Sequence, residues 1–125
     1  MSTTGSATNC LEIDHVAVPS TDIPATVKWY VEHFGAKVLY EDKTWAFLQC
    51  GSIKLALVTP TQHPPHVAFK VNEEQLAKAA ADAGKPIDRH RDGTTGIYVA
   101  DPFGNSIELI CYPAGKTLYE KPAVS

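Results

Sequence analysis

His15-Val16-Ala17 recurs as His66-Val67-Ala68, and Ser52-Ile53-Lys54-Leu55 recurs as Ser106-Ile107-Glu108-Leu109. Both matches fall in order along the chain and in short apolar runs that read as strands. Side chains alternate across a strand. His15, Lys54, His66 and Glu108 therefore fall on four equivalent positions of one face, flanked by Ala17, Ala56 and Ala68. Two imidazoles and a carboxylate from three strands can occupy one face of an octahedron around a divalent metal and leave positions open for water or substrate. Such an ion polarises a substrate oxygen, chelates neighbouring oxygens or, as iron, activates O₂. The same residues also admit a metal-free reading, a salt bridge between Glu108 and Lys54 across the sheet.

Two repeats of strand-helix-strand-strand-strand would position these groups. In the first, a strand over residues 11–18 precedes a helix over 23–34 with caps on offer from Ser20, Thr21 and Asp22 and a stop at Gly35. Strands at 37–40, 45–49 and 52–58 follow. Residues 60–65, with Pro60, Pro64 and Pro65, read as a linker. The second repeat has a strand at 66–71, a helix at 73–83 between Asn72 and Gly84, and strands at 87–90, 96–99 and 106–112. The turn Asp101-Pro102-Phe103-Gly104-Asn105 separates the last two. The expected architecture is α+β: modules at 11–59 and 66–113 forming one domain with a curved mixed sheet, between a disordered tail at 1–10 and a C-terminal tail at 114–125. The apolar faces (Val16, Val18; Ile53, Leu55, Leu57; Val67, Phe69, Val71; Ile107, Leu109, Cys111) are assigned to packing under the helices.

The bulk numbers narrow the partners. A net charge of −3 gives no phosphate-binding surface, so nucleic acid is not expected. No apolar run is long enough for a membrane span. No charged segment followed by an apolar stretch opens the chain, so no signal peptide is expected. Cys10, Cys50 and Cys111 are odd in number and form no C-x-x-C pair. That points to a reducing, cytoplasmic setting.

With these residues in place, the chain resembles the vicinal oxygen chelate superfamily, also called the glyoxalase/bleomycin-resistance/dioxygenase superfamily. The resemblance covers residues 11–112. It rests on Asp14-His15-Val16-Ala17-Val18, on Trp29-Tyr30 with Phe34-Gly35 at the first helix end, and on Tyr98, Asp101-Pro102-Phe103-Gly104-Asn105 and Glu108. It implies two βαβββ modules forming a cup, with metal ligands at His15, His66 and Glu108. Fe(II) or Mn(II) is favoured, and Ni(II), Co(II) or Zn(II) also suits the donors. Lys54 stands at the fourth position, where glyoxalase I-type and methylmalonyl-CoA epimerase-type members offer a further ligand. A protonated lysine cannot ligate, so those activities fit less well.

The order His90, Ile97-Tyr98, Asp101-Pro102-Phe103-Gly104, Glu108 is similar to the extradiol dioxygenase signature, with Asp88 departing from it. It implies that His90 and Tyr98 contact substrate. Lys54 would then compensate a developing anion, while Trp45, Phe47 and Tyr112 offer stacking surfaces. His63 falls in the proline linker and carries no assigned role. The expectation is a metal-dependent enzyme acting on a small oxygen-chelating molecule, leaning to an extradiol-type dioxygenase. The alternatives are a fosfomycin-resistance-type thiol transferase and a metal-free bleomycin-type binding protein. Two modules are fewer than the four usual in full-length extradiol enzymes, so a homodimer is expected to complete or cover the cup.

Overall fold

The computed structural model describes residues 10–90 and 92–113. Along the chain run β1 (Ile13–Pro19), α1 (Ile23–Phe34), β2 (Lys37–Glu41), β3 (Trp45–Cys50), β4 (Ile53–Val58), β5 (His66–Lys70), α2 (Glu73–Ala83), β6 (Asp88–Arg89), β7 (Thr95–Ala100) and β8 (Ser106–Cys111). Residues 1–9 and the C-terminal tail at 114–125 lie outside the described residues.

Local chemistry sets the helix ends. Of the three caps on offer before α1, Asp22 is used: its side chain accepts from the Ala25 N–H, and Gly35 ends the helix at φ 70°. Asn72 and Gln75 form a reciprocal capping box on α2, and Gly84 closes it at φ 66°.

The strands form one eight-stranded mixed sheet in the order β2-β3-β4-β1-β5-β8-β7-β6. Each module contains the same parallel pair, β1 with β4 and β5 with β8. The modules meet through the antiparallel pair β1 and β5. The cup is thus built within one chain, and no second copy is needed to complete the sheet. The strand expected at 87–90 shrinks to the two residues of β6, and Ile87 before it is exposed.

The two faces of the sheet have different fillings. Ile23 and Val27 of α1 pack on Leu48 and Leu57. Leu76 and Ala80 of α2 pack on Ile97 and Cys111. Fully burying a side chain such as Leu48 or Leu57 contributes about 1.5–3 kcal/mol. Ile53 departs from the expected packing set and is exposed at the start of β4. The concave face carries Ala17, Phe47, Ala56 and Val58. One cross-strand row on it reads Lys54, His15, Ala68, Glu108, Tyr98, each the register partner of the next. Ala68, wholly buried, keeps the middle of that row open between His15 and Glu108.

Candidate metal centre

His15, His66 and Glu108 are all buried, and their ligand atoms lie within 4.8 Å of one another. His15 Nε2 is 3.3 Å from His66 Nε2 and 3.4 Å from Glu108 Oε1, and His66 Nε2 is 3.2 Å from the same oxygen. The tautomers follow from the other ring nitrogens. His66 Nδ1 is 2.9 Å from the Pro64 carbonyl, which can only accept, so Nδ1 carries the proton. His15 Nδ1 is 2.7 Å from the Asp14 carboxylate, and the same logic applies. With neutral rings, two nitrogen lone pairs and a carboxylate oxygen point at one place with no donor among them. Three buried acceptors converging in this way require a cation or a shared proton. Ligands about 2.1 Å from a common ion, at right-angled to tetrahedral spacing, lie about 3.0–3.4 Å apart, which matches the separations here. The donor set therefore fits a divalent metal.

The electrostatics agree. Burial raises the Glu108 carboxyl, but its close contacts with the His15 and His66 rings outweigh it and hold the pKa at about 2. Burial lowers the His15 pKa, yet hydrogen bonds with Asp14 and Glu108 leave it above its ordinary value.

The metal-free pairing of Glu108 with Lys54 is not formed. Lys54 Nζ binds Asp14 Oδ1 at 3.1 Å and the Tyr112 hydroxyl at 3.3 Å. It also lies over the Phe47 and Tyr112 rings, and it does not line the cavity. Asp14 is the residue that strand alternation hides. Alternation places it opposite His15, but a register irregularity between Ile13 and His15 re-aims this stretch of β1. Its carboxylate has 1% exposure and a pKa held near 2: burial raises it, and the His15 hydrogen bond and the Lys54 charge overcome that.

Beside these groups opens a cavity of about 380 Å³. Trp45, Phe47, Tyr98, Tyr112, His63 and His90 line it, together with the three ligand-type residues. The Phe47 ring stands edge-on to His15 at 5.3 Å, and the Tyr98 ring edge-on to His66 at 5.1 Å. Burial, then the charges of Glu108 and Asp88, push the Tyr98 phenol well above its usual range, so it stays protonated. His90 Nε2 is 3.9 Å from Glu108 Oε2. The Thr94 hydroxyl donates to Asp92 and so accepts from His90 Nδ1–H at 2.8 Å, which turns the His90 Nε2 lone pair to the cavity.

His63, expected only as part of the linker, reaches the cavity wall. Burial, then the neighbouring His66, lower its pKa, against a smaller raising effect of Glu108. Gly96 leaves the space in front of His90 and Glu108. A Cβ there would sit 2.6 Å from the Leu109 carbonyl oxygen and 3.4 Å from Glu108 Oε2.

Residues 12–109 match the family described as the Glyoxalase/Bleomycin resistance protein/Dioxygenase superfamily. The chain belongs to this superfamily. Biphenyl-2,3-diol 1,2-dioxygenase 3 of Rhodococcus globerulus is 28% identical over 114 residues, a match covering 76% of this chain and 60% of that protein. The chain thus spans about three fifths of the length of that curated relative. Among solved structures, methylmalonyl-CoA epimerase from Mycobacterium tuberculosis superposes with a TM-score of 0.67 at 17% identity, over 82% of this chain and 88% of the other. The Mn(II)-bound glyoxalase from Novosphingobium aromaticivorans gives 0.64 at 22% identity, over 79% of this chain and 37% of that one. At these identities the structures establish the superfamily fold alone. No helix among the described residues is long and apolar enough to cross a membrane.

Proposed function

We propose that this superfamily member is a metal-dependent, extradiol-type ring-cleaving dioxygenase for a small aromatic substrate with two adjacent hydroxyls. One observation carries the reading: His15 Nε2, His66 Nε2 and Glu108 Oε1 converge as three buried acceptors beside an aromatic-lined cavity. A divalent ion held there, Fe(II) or Mn(II) by preference, would chelate neighbouring oxygens and support reaction with O₂. The similarity to a biphenyl-2,3-diol dioxygenase supports this branch of the superfamily.

The chain's own residues divide the remaining work. Trp45 and Phe47 give the ring a face to pack on. His90 offers Nε2 as acceptor for a substrate hydroxyl proton, oriented by Thr94 and Asp92. His63, its pKa lowered by burial, is a second imidazole at the wall. Tyr98, kept protonated, donates to a substrate oxygen as charge develops. The overall reaction adds both atoms of O₂ to the opened ring and needs no further reductant. The same reading includes a homodimer that covers the open side of the cup. The free thiols of Cys10, Cys50 and Cys111 support a reducing, cytoplasmic location.

The test is reconstitution with Fe(II) or Mn(II) without oxygen, then elemental analysis, O₂ uptake and ring-opened product with biphenyl-2,3-diol and catechol. Stoichiometric metal and turnover are expected, with both lost in His66→Ala and Glu108→Ala. A wild-type chain that takes up neither metal sinks the reading. Metal uptake with no catechol turnover redirects it to another reaction on the same centre.

A further inference from the structure

Three of the four repeat-equivalent positions on the concave face carry ligand-type side chains. The fourth, Lys54, is a cation about one strand spacing from His15, its register partner on β4. A cation there would ordinarily oppose a metal. The geometry around Asp14 removes that conflict. Asp14 Oδ2 takes the His15 Nδ1–H at 2.7 Å, while Oδ1 takes the Lys54 ammonium at 3.1 Å. The Tyr112 hydroxyl lies 3.0 Å from Oδ1 and 2.9 Å from Oδ2. Every partner of this buried carboxylate is a donor, and the Lys54 charge is balanced before it reaches the metal side of His15.

The two imidazoles are held unequally. His66 is oriented by a neutral carbonyl, that of Pro64. His15 is oriented by a carboxylate that is itself clamped from two further strands' worth of sequence, Lys54 on β4 and Tyr112 just past β8. A carboxylate behind a ligating imidazole fixes the ring's tautomer and orientation and makes the facing nitrogen a stronger donor.

We propose that Asp14 is the positioning residue of the His15 ligand, and that Lys54 and Tyr112 act through Asp14 to hold it. In this arrangement Lys54 does not touch substrate, and the Tyr112 hydroxyl belongs to the clamp although its ring lines the cavity. The assignment rests on the metal-centre reading above. It adds a function for the departure at position 54: the residue that cannot be a fourth ligand anchors the carboxylate that orients the first.

The experiment is titration of the metal-stripped full chain with Mn(II), following free Mn(II) by electron paramagnetic resonance. The His15 tautomer is read in parallel from ¹⁵N correlation spectra. Asp14→Asn should weaken Mn(II) binding by about 10- to 100-fold, and the His15 Nδ1–H form should lose its dominance. Thermal midpoints of the metal-free proteins report whether the fold is kept. Tyr112→Phe removes one hydroxyl and leaves the ion pair. It folds even if Asp14→Asn does not, and a several-fold loss of affinity is expected.

Wild-type binding matched by an equally tight Asp14→Asn, or by an unchanged Tyr112→Phe where Asp14→Asn does not fold, overturns the positioning role and leaves the metal centre standing. A wild-type chain with no Mn(II) affinity overturns both. Weakened binding with an unaltered His15 tautomer also overturns the role, since a loss of general packing would produce it.

Discussion

Glu108 faces three histidines of the site. One carboxylate oxygen faces both His15 and His66, and the other faces His90 at 3.9 Å. A single carboxylate thereby links the ligand-type cluster to an imidazole that faces the cavity. His90 has its Nδ1 proton committed to Thr94 and its Nε2 at the cavity. If it takes the substrate proton, His90→Ala lowers kcat by about 10²- to 10⁴-fold. Metal content stays unchanged, because His90 is not in the converging set. Single-turnover kinetics beside elemental analysis check this, and loss of metal with loss of rate would make His90 a ligand instead. Gly96 matters at this scale for what it lacks, since any side chain there would press on Leu109 and Glu108.

Among the elements, the β2–β3 hairpin carries Trp45 and Phe47 to the cavity, and its turn is held by one side chain. Asp42 accepts from the Thr44 and Trp45 N–H groups, the Thr44 hydroxyl and the Tyr40 hydroxyl. Burial raises its pKa. The hydrogen bonds, that from Tyr40 foremost, bring it from 3.8 to about 2. A carboxylate with a depressed folded-state pKa adds stability above its unfolded pKa and loses it as pH falls through the folded value. Asp42→Ala should cost about 1 kcal/mol at pH 7, the scale of a lost side-chain cap in a solvent-facing turn. The gap from wild type should close as pH falls from about 4 to about 2. Urea midpoints of both proteins across that range test it, and a gap constant with pH would show that the ionised carboxylate is not what holds the turn.

For the whole molecule, the seam between β1 and β5 is decisive. The ligand-type residues come from β1, β5 and β8, so an ion bound by them ties the first module to the second. Mn(II) at about 100 times its Kd should therefore raise stability by about 2.7 kcal/mol, seen as a Tm higher by several degrees. Glu108→Ala should abolish the shift while still folding. A wild-type Tm insensitive to Mn(II) would mean that the ligand cluster does not bind it in the folded state. The cavity opens on the same concave side, lined by residues of both modules.

Much of this protein is readable from residue order alone. Strand and helix periodicity, the duplicated His-Val-Ala and Ser-Ile-x-Leu segments and the capping residues define two βαβββ modules, and both helices fall at the expected residues. Strand alternation also puts His15, His66 and Glu108 on one face, because a period of two is a local property of the backbone. Tertiary structure decided three other matters. The β1–β5 pairing formed the cup within one chain, a choice among long-range partners that no local pattern encodes. The irregularity in β1 brought Asp14 to His15 and Lys54 against the alternation rule, because an extra residue in one strand resets which face the next side chain meets. The fold of the 60–65 segment carried His63 to the cavity wall, since a proline-rich connection takes its path from the elements it joins rather than from a period of its own.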